Sequence, residues 1–208
     1  MCKYYIGKTE KAASLHSNVW DACESTEVAC LNWKNWRYAP KTFCKMLEDD
    51  TGLYIRFTTD EEPYSVYENF NDPTNRDSCV ELFINFLPEN TENYMNFEIN
   101  SKGVMSLGFG SSLQNRKQIA DVDFSIFRIM AEEKQNRWEV FFYIPFSFVK
   151  RYYAGVSGTF AGNLYKCGDR TPKPHYVSWA PIRTEAPNFH LSEFFGEFRR
   201  TVNCDEEV

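Results

Sequence analysis

The stretch DSCVELFINF, residues 77–86, is where the sequence first commits itself to a fold. At the two-residue period of a strand, Val80, Leu82, Ile84 and Phe86 share one face, and Cys79, Glu81, Phe83 and Asn85 share the other. The first face is core. The second mixes a thiol, a carboxylate, an aromatic ring and an amide. That is the makeup of a strand face lining a polar cleft, and equally that of a face wetted by solvent. Its neighbours decide between the two.

Working outward, YMNFEIN (residues 94–100) repeats the pattern: Met95, Phe97 and Ile99 form a core face, with Tyr94, Asn96, Glu98 and Asn100 opposite. It turns at Ser101 to Gly103 into a second strand. Upstream, the residues Asp49 to Gly52 join KTFCKMLE to LYIRFTT with hairpin turn chemistry, and Leu53, Ile55 and Phe57 share a face. Downstream, DFSIFRIMAEEKQNRWEVFFYIP carries two strand segments about the polar turn EEKQN. There Trp138, Val140, Phe142 and Ile144 alternate against Glu139, Phe141 and Tyr143 until Pro145 ends the run. FSFVKRYY reads as a short helix. GTFAGNLYKC, HYVSWAP and FGEFRRTV read as further strands, ahead of an acidic tail.

About ten short strands, with turn signals at roughly eight- to twelve-residue intervals, predict an all-β protein: an antiparallel β-sandwich, jelly-roll-like, in a single domain spanning residues 1–208. The aromatic content of 17% favours the same reading, because large rings suit a pleated, half-buried surface. The formal charge of -6, without a basic run, excludes a nucleic-acid surface. No run of about eighteen apolar residues is present to cross a membrane as a helix. The N-terminus lacks a signal-peptide pattern, which leaves a cytoplasmic protein or one whose leader has been removed. Seven cysteines without CxxC spacing predict free thiols rather than a zinc motif or a disulfide framework.

Catalytic signatures are absent: no G-x-S-x-G elbow, no phosphate loop, no H-E-x-x-H, and only three histidines. A metal set of Cys167, Asp169 and His175 is conceivable but matches no standard spacing. If residues 77–86 and 94–100 are paired, Glu81, Asn85, Glu98 and Asn100 form a patch of acceptors and amides among rings. Asn163 and Tyr165 add to it from a third strand. Carboxylates and amides hydrogen-bond vicinal hydroxyls, and a ring packs against the C–H face of a pyranose. Trp179 reads as core, as do Trp20, Trp33, Trp36 and Trp138, although Trp33 and Trp36, close together, could border a groove.

The motifs DSCVELFINF, NFEINSKG, GNLYKCGD, HYVSWAP and PNFHLSEFFGEF, in this order and approximate spacing, resemble family 9 carbohydrate-binding modules, in particular the stand-alone group related to xylanase-attached modules. The resemblance runs from about Trp20 to Phe198. It implies a β-sandwich that binds an oligo- or polysaccharide without catalysis, gripping a glycan end between two tryptophans, with structural calcium. Carried over by position, the family's strand carboxylate is Glu81, and its arginine and asparagine fall on Glu98 and Asn100. Its glutamine falls on Asn163. Asn188 and Phe189 supply the later amide and platform ring. The first platform tryptophan has no counterpart at Thr74 or Asn75, and Tyr64, Tyr67 or Phe70 could replace it.

The expected glycan site is therefore Glu81, Glu98, Asn100, Asn163, Asn188, Phe189 and Tyr67. Two other functions compete. A haem-binding sandwich would draw its ligand from Met46, Met95, Met105 or Met130. A glycoside hydrolase would use Glu81 and Glu98 as its carboxylate pair.

Overall fold

The computed structural model describes residues 1–201, and the acidic tail expected after the last strand lies in residues 202–208, outside the described residues. In chain order the strands are β1 (Lys3–Lys8), β2 (Thr26–Glu27), β3 (Lys41–Asp49), β4 (Gly52–Asp60), β5 (Cys79–Asn85), β6 (Tyr94–Asn100), β7 (Met105–Gly110), β8 (Lys117–Gln118), β9 (Met130–Lys134), β10 (Arg137–Pro145), β11 (Thr159–Cys167), β12 (Tyr176–Ser178) and β13 (Gly196–Arg200). One sheet runs β8-β7-β6-β5-β11-β13-β1 with β12 beside β11. The other runs β1-β3-β4-β10-β9 with β2 beside β3.

The two sheets face each other as a sandwich, and β1 belongs to both. Its first residues pair in parallel with β13, Lys3 to Ile6 against Glu197 to Arg200, and Gly7 and Lys8 pair in parallel with Leu47 and Glu48 of β3. Every other ladder is antiparallel. A corner strand of this kind closes one edge of each sheet with one element. It was not among the strands read from sequence, although Tyr4 and Ile6 alternate and are buried.

The alternating residues meet where the pattern placed them. Val80, Leu82, Ile84, Met95, Phe97 and Ile99 of one sheet and Leu53, Ile55, Phe57, Trp138, Val140, Phe142 and Ile144 of the other form a single core, each 0% exposed. Phe97 and Phe142 bridge the sheets with ring centroids 5.9 Å apart. Each such side chain contributes about 1.5–3 kcal/mol by leaving water. Trp20 and Trp138 are core, and Trp179 stacks on Phe198 at 5.1 Å. A second cluster, with Trp20, Tyr54, Phe141 and Tyr143, covers the outer face of β4 and β10.

The β3–β4 hairpin turns on Asp49, whose carboxylate accepts from Thr51 N, Thr51 Oγ1, Gly52 N and the Tyr54 hydroxyl. The β6 turn places Gly103 at φ 81°, a backbone region that favours glycine. Two local differences from the sequence reading have simple causes. The β9–β10 turn is only Gln135 and Asn136, with Asn136 at φ 55°, so ladder pairing extends into EEK. DFSIF is a 3₁₀ turn over Phe124–Phe127 because Asp123 accepts from Ser125 N and caps it. The helix expected in FSFVKRYY is one turn, Phe146–Val149. No helix among the described residues is long and apolar enough to cross a membrane, and the six described cysteines are free thiols.

Candidate functional site

All seven residues of β5 and all seven of β6 are buried, so the face turned away from the core is not simply wetted. In the ladder Glu81 lies directly opposite Glu98, Phe83 opposite Asn96, and across β11 Glu81 opposite Tyr165 and Cys79 opposite Cys167. What covers this face is a third aromatic cluster. Phe83, Tyr94 and Tyr165 form its floor. Trp33, Ile182 and Phe195 pack on it, with Trp36, Tyr176 and Phe189 at its margin. Phe189 stacks on Tyr165 at 4.1 Å and 10°, and the Tyr165 hydroxyl donates to the Phe189 carbonyl. Trp36 stands edge-on to Tyr176 at 4.9 Å.

Beside this cluster sits a knot of charge. Glu98 Oε1 accepts from Asn96 Nδ2 at 2.7 Å and from Arg116 at 3.1 Å. The same guanidinium nitrogen donates to His190 Nε2 at 3.1 Å. A guanidinium only donates, so Nε2 is the acceptor and Nδ1 carries the proton toward the Tyr94 hydroxyl 2.9 Å away. Burial and the Arg116 charge hold the His190 pKa down to about 3, so the ring is neutral. Arg116 reaches Glu98 because Gly108 has no side chain. A Cβ there would lie 2.5 Å from Asn96 Oδ1 and 2.8 Å from Arg116 Nε.

Glu81 is differently placed. Its Oε1 accepts a hydrogen bond from the Cys167 thiol at 2.9 Å, and no cation is within bonding distance among the described residues. Burial first, and then the charge of Glu98, push its pKa well above the usual carboxylate range. Glu98 is also raised by burial, with Arg116 and Asn96 opposing. Neither Oε2 takes a hydrogen bond from a described residue, and the two residues keep 3% and 5% exposure. Asn96 Oδ1 is buried with no partner at all. Asp169, held by Asn75 Nδ2 at 2.8 Å, lies near enough to raise both carboxyls.

The structure brings Glu81 and Glu98 together on one face. Asn188 and Phe189 border it; Asn188 Oδ1 accepts from His190 N, and the Phe189 carbonyl accepts from the Tyr165 hydroxyl. Asn100 is enclosed, donating to Asp77 and the Tyr67 carbonyl and accepting from Lys102 N and Val104 N. Asn163 is likewise bonded on both sides of its amide, to the backbone of Ala180 and Leu164. Asn85 ties the Leu87–Thr91 turn. The Tyr67 hydroxyl is paired with Arg76 at 3.2 Å. Arg116, His190 and Asp169, none of them among the expected glycan contacts, complete the site.

The set Cys167, Asp169 and His175 does not converge. Cys167 faces Glu81, whereas the His175 ring lies against Lys166 and Glu61 on the other side of the strand. Met46, Met95 and Met105 are fully buried in the core and Met130 is an exposed edge residue, so none fronts a haem-sized cleft. The acidic turns at 48–50 and 60–62 do not fit calcium. Glu48 pairs with Arg200, Asp49 with its own turn, Asp60 with Arg137, Glu61 with Lys166, and Glu62 with Asn136 N. Asp50 alone is far short of the six to eight oxygens a calcium takes. An open hollow of 690 Å³ lies over this turn, and Glu48, Asp49 and Arg200 in its lining are already paired.

Comparison with known proteins identifies the family. The model of carbohydrate-binding family 9 matches residues 13–200. A crystal structure of a Bacteroides uniformis protein proposed to bind carbohydrate superposes with a TM-score of 0.84 at 25% identity, over 96% of this chain and 99% of that one. Two structures of a family 9 module from Caldicellulosiruptor kristjanssonii are similar in fold. One, in complex with glucose, has a TM-score of 0.68 at 10% identity, over 99% of each chain. The other, in complex with cellotriose, has a TM-score of 0.66 at 11% identity, over 100% of this chain and 97% of that one. Among curated protein sequences, none matches.

Proposed function

This chain belongs to carbohydrate-binding family 9, and from that premise we propose that it is a non-catalytic module holding a glycan over the outer face of β5, β6 and β11. The observation that carries the reading is the pairing of Glu81 and Glu98 on a non-core face roofed by aromatic rings, with Arg116 alongside. Buried polar groups are normally satisfied. Here Oδ1 of Asn96 is buried without a donor, and the Oε2 atoms of both glutamates, on residues that keep 3% and 5% exposure, take no protein donor; sugar hydroxyls supply donors of that kind.

Arg116 takes over the positive charge that Glu98 removes from the family pattern, now delivered from the loop after β7. Trp36 and Tyr176, half-buried at the margin, offer ring faces and edges to a pyranose. Asn100 and Asn163 shape this site by bracing backbone rather than by touching ligand. The structures with glucose and cellotriose make glucose and cello-oligosaccharides the first ligands to test. A hydrolase reading gains nothing specific from Glu81 and Glu98, since their cross-strand pairing serves a binding face equally well.

The test is calorimetry against glucose, cello-oligosaccharides and a glycan array, with Arg116→Gln and Trp36→Ala alongside the wild type. We expect saturable binding that weakens in both variants. A wild type that binds nothing across the array, while correctly folded, overturns the reading.

A further inference from the structure

We propose that Cys79, Glu81 and Cys167 form a binding site for one thiophilic divalent cation of the zinc class, seated under the floor of the glycan face. Their three ligand atoms, two Sγ and a carboxylate oxygen, all lie within 4.8 Å of one another. The register produces the convergence. Cys79 and Glu81 are two residues apart on β5 and so share a face, and Cys167 of β11 is the direct cross-strand partner of Cys79. Two sulfurs on a tetrahedral zinc stand about 3.7 Å apart, given Zn–S distances near 2.3 Å, so closing the set needs only side-chain adjustment.

The chemistry of the surroundings asks for a cation. Of the two buried glutamates, Glu98 has Arg116, whereas Glu81 has only a thiol proton. Asp169 adds a further negative charge nearby, and its Oδ2 is held by Asn75. A buried carboxylate without a cationic partner is costly. A metal bound by the adjacent thiolates would supply that partner. Two sulfurs with one carboxylate favour zinc over calcium or magnesium, which take oxygen donors. The three side chains leave one position of a tetrahedral shell for a further donor. A disulfide between the two cysteines would leave Glu81 no better compensated.

The site shares Glu81 with the proposed glycan face but does not depend on that reading. The experiment is titration of the reduced protein with Cd²⁺, followed by thiolate-to-cadmium absorption, with Zn²⁺ as competitor. We expect uptake of about one equivalent that Zn²⁺ displaces, a band roughly halved in Cys79→Ser or Cys167→Ser, and none in the double variant. The other cysteines, retained throughout, serve as the internal control. Glu81→Gln keeps the band and weakens affinity at least about tenfold.

Zinc-edge X-ray absorption on the wild type needs no variant, and two sulfur neighbours are expected. No saturable uptake, equal uptake by wild type and double variant, or a sulfur-free zinc shell overturns the proposal. Glycan calorimetry on metal-free protein separates the two claims. Glycan binding without cadmium uptake sinks only the metal site, and cadmium uptake without glycan binding sinks only the glycan reading.

Discussion

Lys166 and Cys167 are neighbours in β11, yet each anchors a buried polar cluster on an opposite face of the same sheet. On the core side the Lys166 ammonium meets Glu61 Oε2 at 2.9 Å and His175 Nε2 at 2.7 Å, and it donates to the Cys167 carbonyl at 2.8 Å. Three protons thus find three acceptors. Glu61 also accepts from Trp138 Nε1, and His175 Nδ1 donates to the Lys173 carbonyl. Burial and the Lys166 charge lower the His175 pKa to about 4, so the ion pair is Lys166 with Glu61 and the ring is a neutral acceptor.

On the other side the account does not close. Glu81 has one thiol donor and Asn96 Oδ1 has none. A saturated network holds a fold in one arrangement, and an unsaturated one of equal burial has places for something else to bind. The two clusters should therefore answer mutation in opposite ways.

The largest effect is expected on the saturated side. Glu61→Ala leaves the Lys166 charge buried at 0% exposure without its partner and should cost about 3–5 kcal/mol in urea denaturation. Glycan affinity of the folded fraction should be unchanged. Recovery of most of the loss in Glu61→Gln combined with Lys166→Met would mark the damage as that of an unpaired charge. Equal damage in the double variant would break the distinction between the clusters.

A smaller effect comes from His175, which faces Lys166, Glu61 and the Tyr38 ring, with the Lys173 ammonium over that ring. Its folded pKa of about 4 lies below the ordinary imidazole value of 6.5. Above pH 6.5 the ring is neutral in both states and costs nothing. Below it the unfolded chain takes up a proton that the native state refuses, so stability falls and levels off below about pH 4. Between pH 6.5 and 5.5 the loss is about 1 kcal/mol. His190 and the raised carboxyls titrate as well, so the reading is the difference between wild type and His175→Gln, whose amide can accept and donate in the same places. Parallel pH profiles for the two proteins would show that the ring is not held neutral.

Sequence made one side of this comparison far more legible than the other. The hairpins and both faces of β5, β6 and β10 could be read because period-two alternation records which side chains avoid water. β1 was missed because KYYIGK carries tyrosines on both faces and is only six residues long. On the site face, the position of Glu81 opposite Glu98 follows from two alternating runs once they pair. Arg116 does not. Nothing in SSLQNRKQ marks which polar residue folds back, and its one signal, the bare Gly108, has meaning only after the β6–β7 register puts Gly108 opposite Asn96. Asn100 and Asn163 show a second limit. An amide on the right face says nothing about whether its atoms already hold backbone, and both do. The pairing of Cys79 with Cys167 was equally silent, since a cross-strand neighbour leaves no spacing motif.

The smallest effect on stability, and the sharpest separation, belongs to Glu81→Gln. The amide keeps the shape and can still accept from the Cys167 thiol, so no cavity or lost bond accompanies the change. What disappears is the cost of holding a carboxylate at 3% exposure with no cation in contact. The variant should be as stable as the wild type or more so, by up to about 1 kcal/mol, while glycan affinity falls. Glu61→Ala has the reverse signature. If Glu81→Gln instead destabilises as strongly as Glu61→Ala, the carboxylate is a structural keystone, and the unsaturated atoms beside it do not mark a binding face.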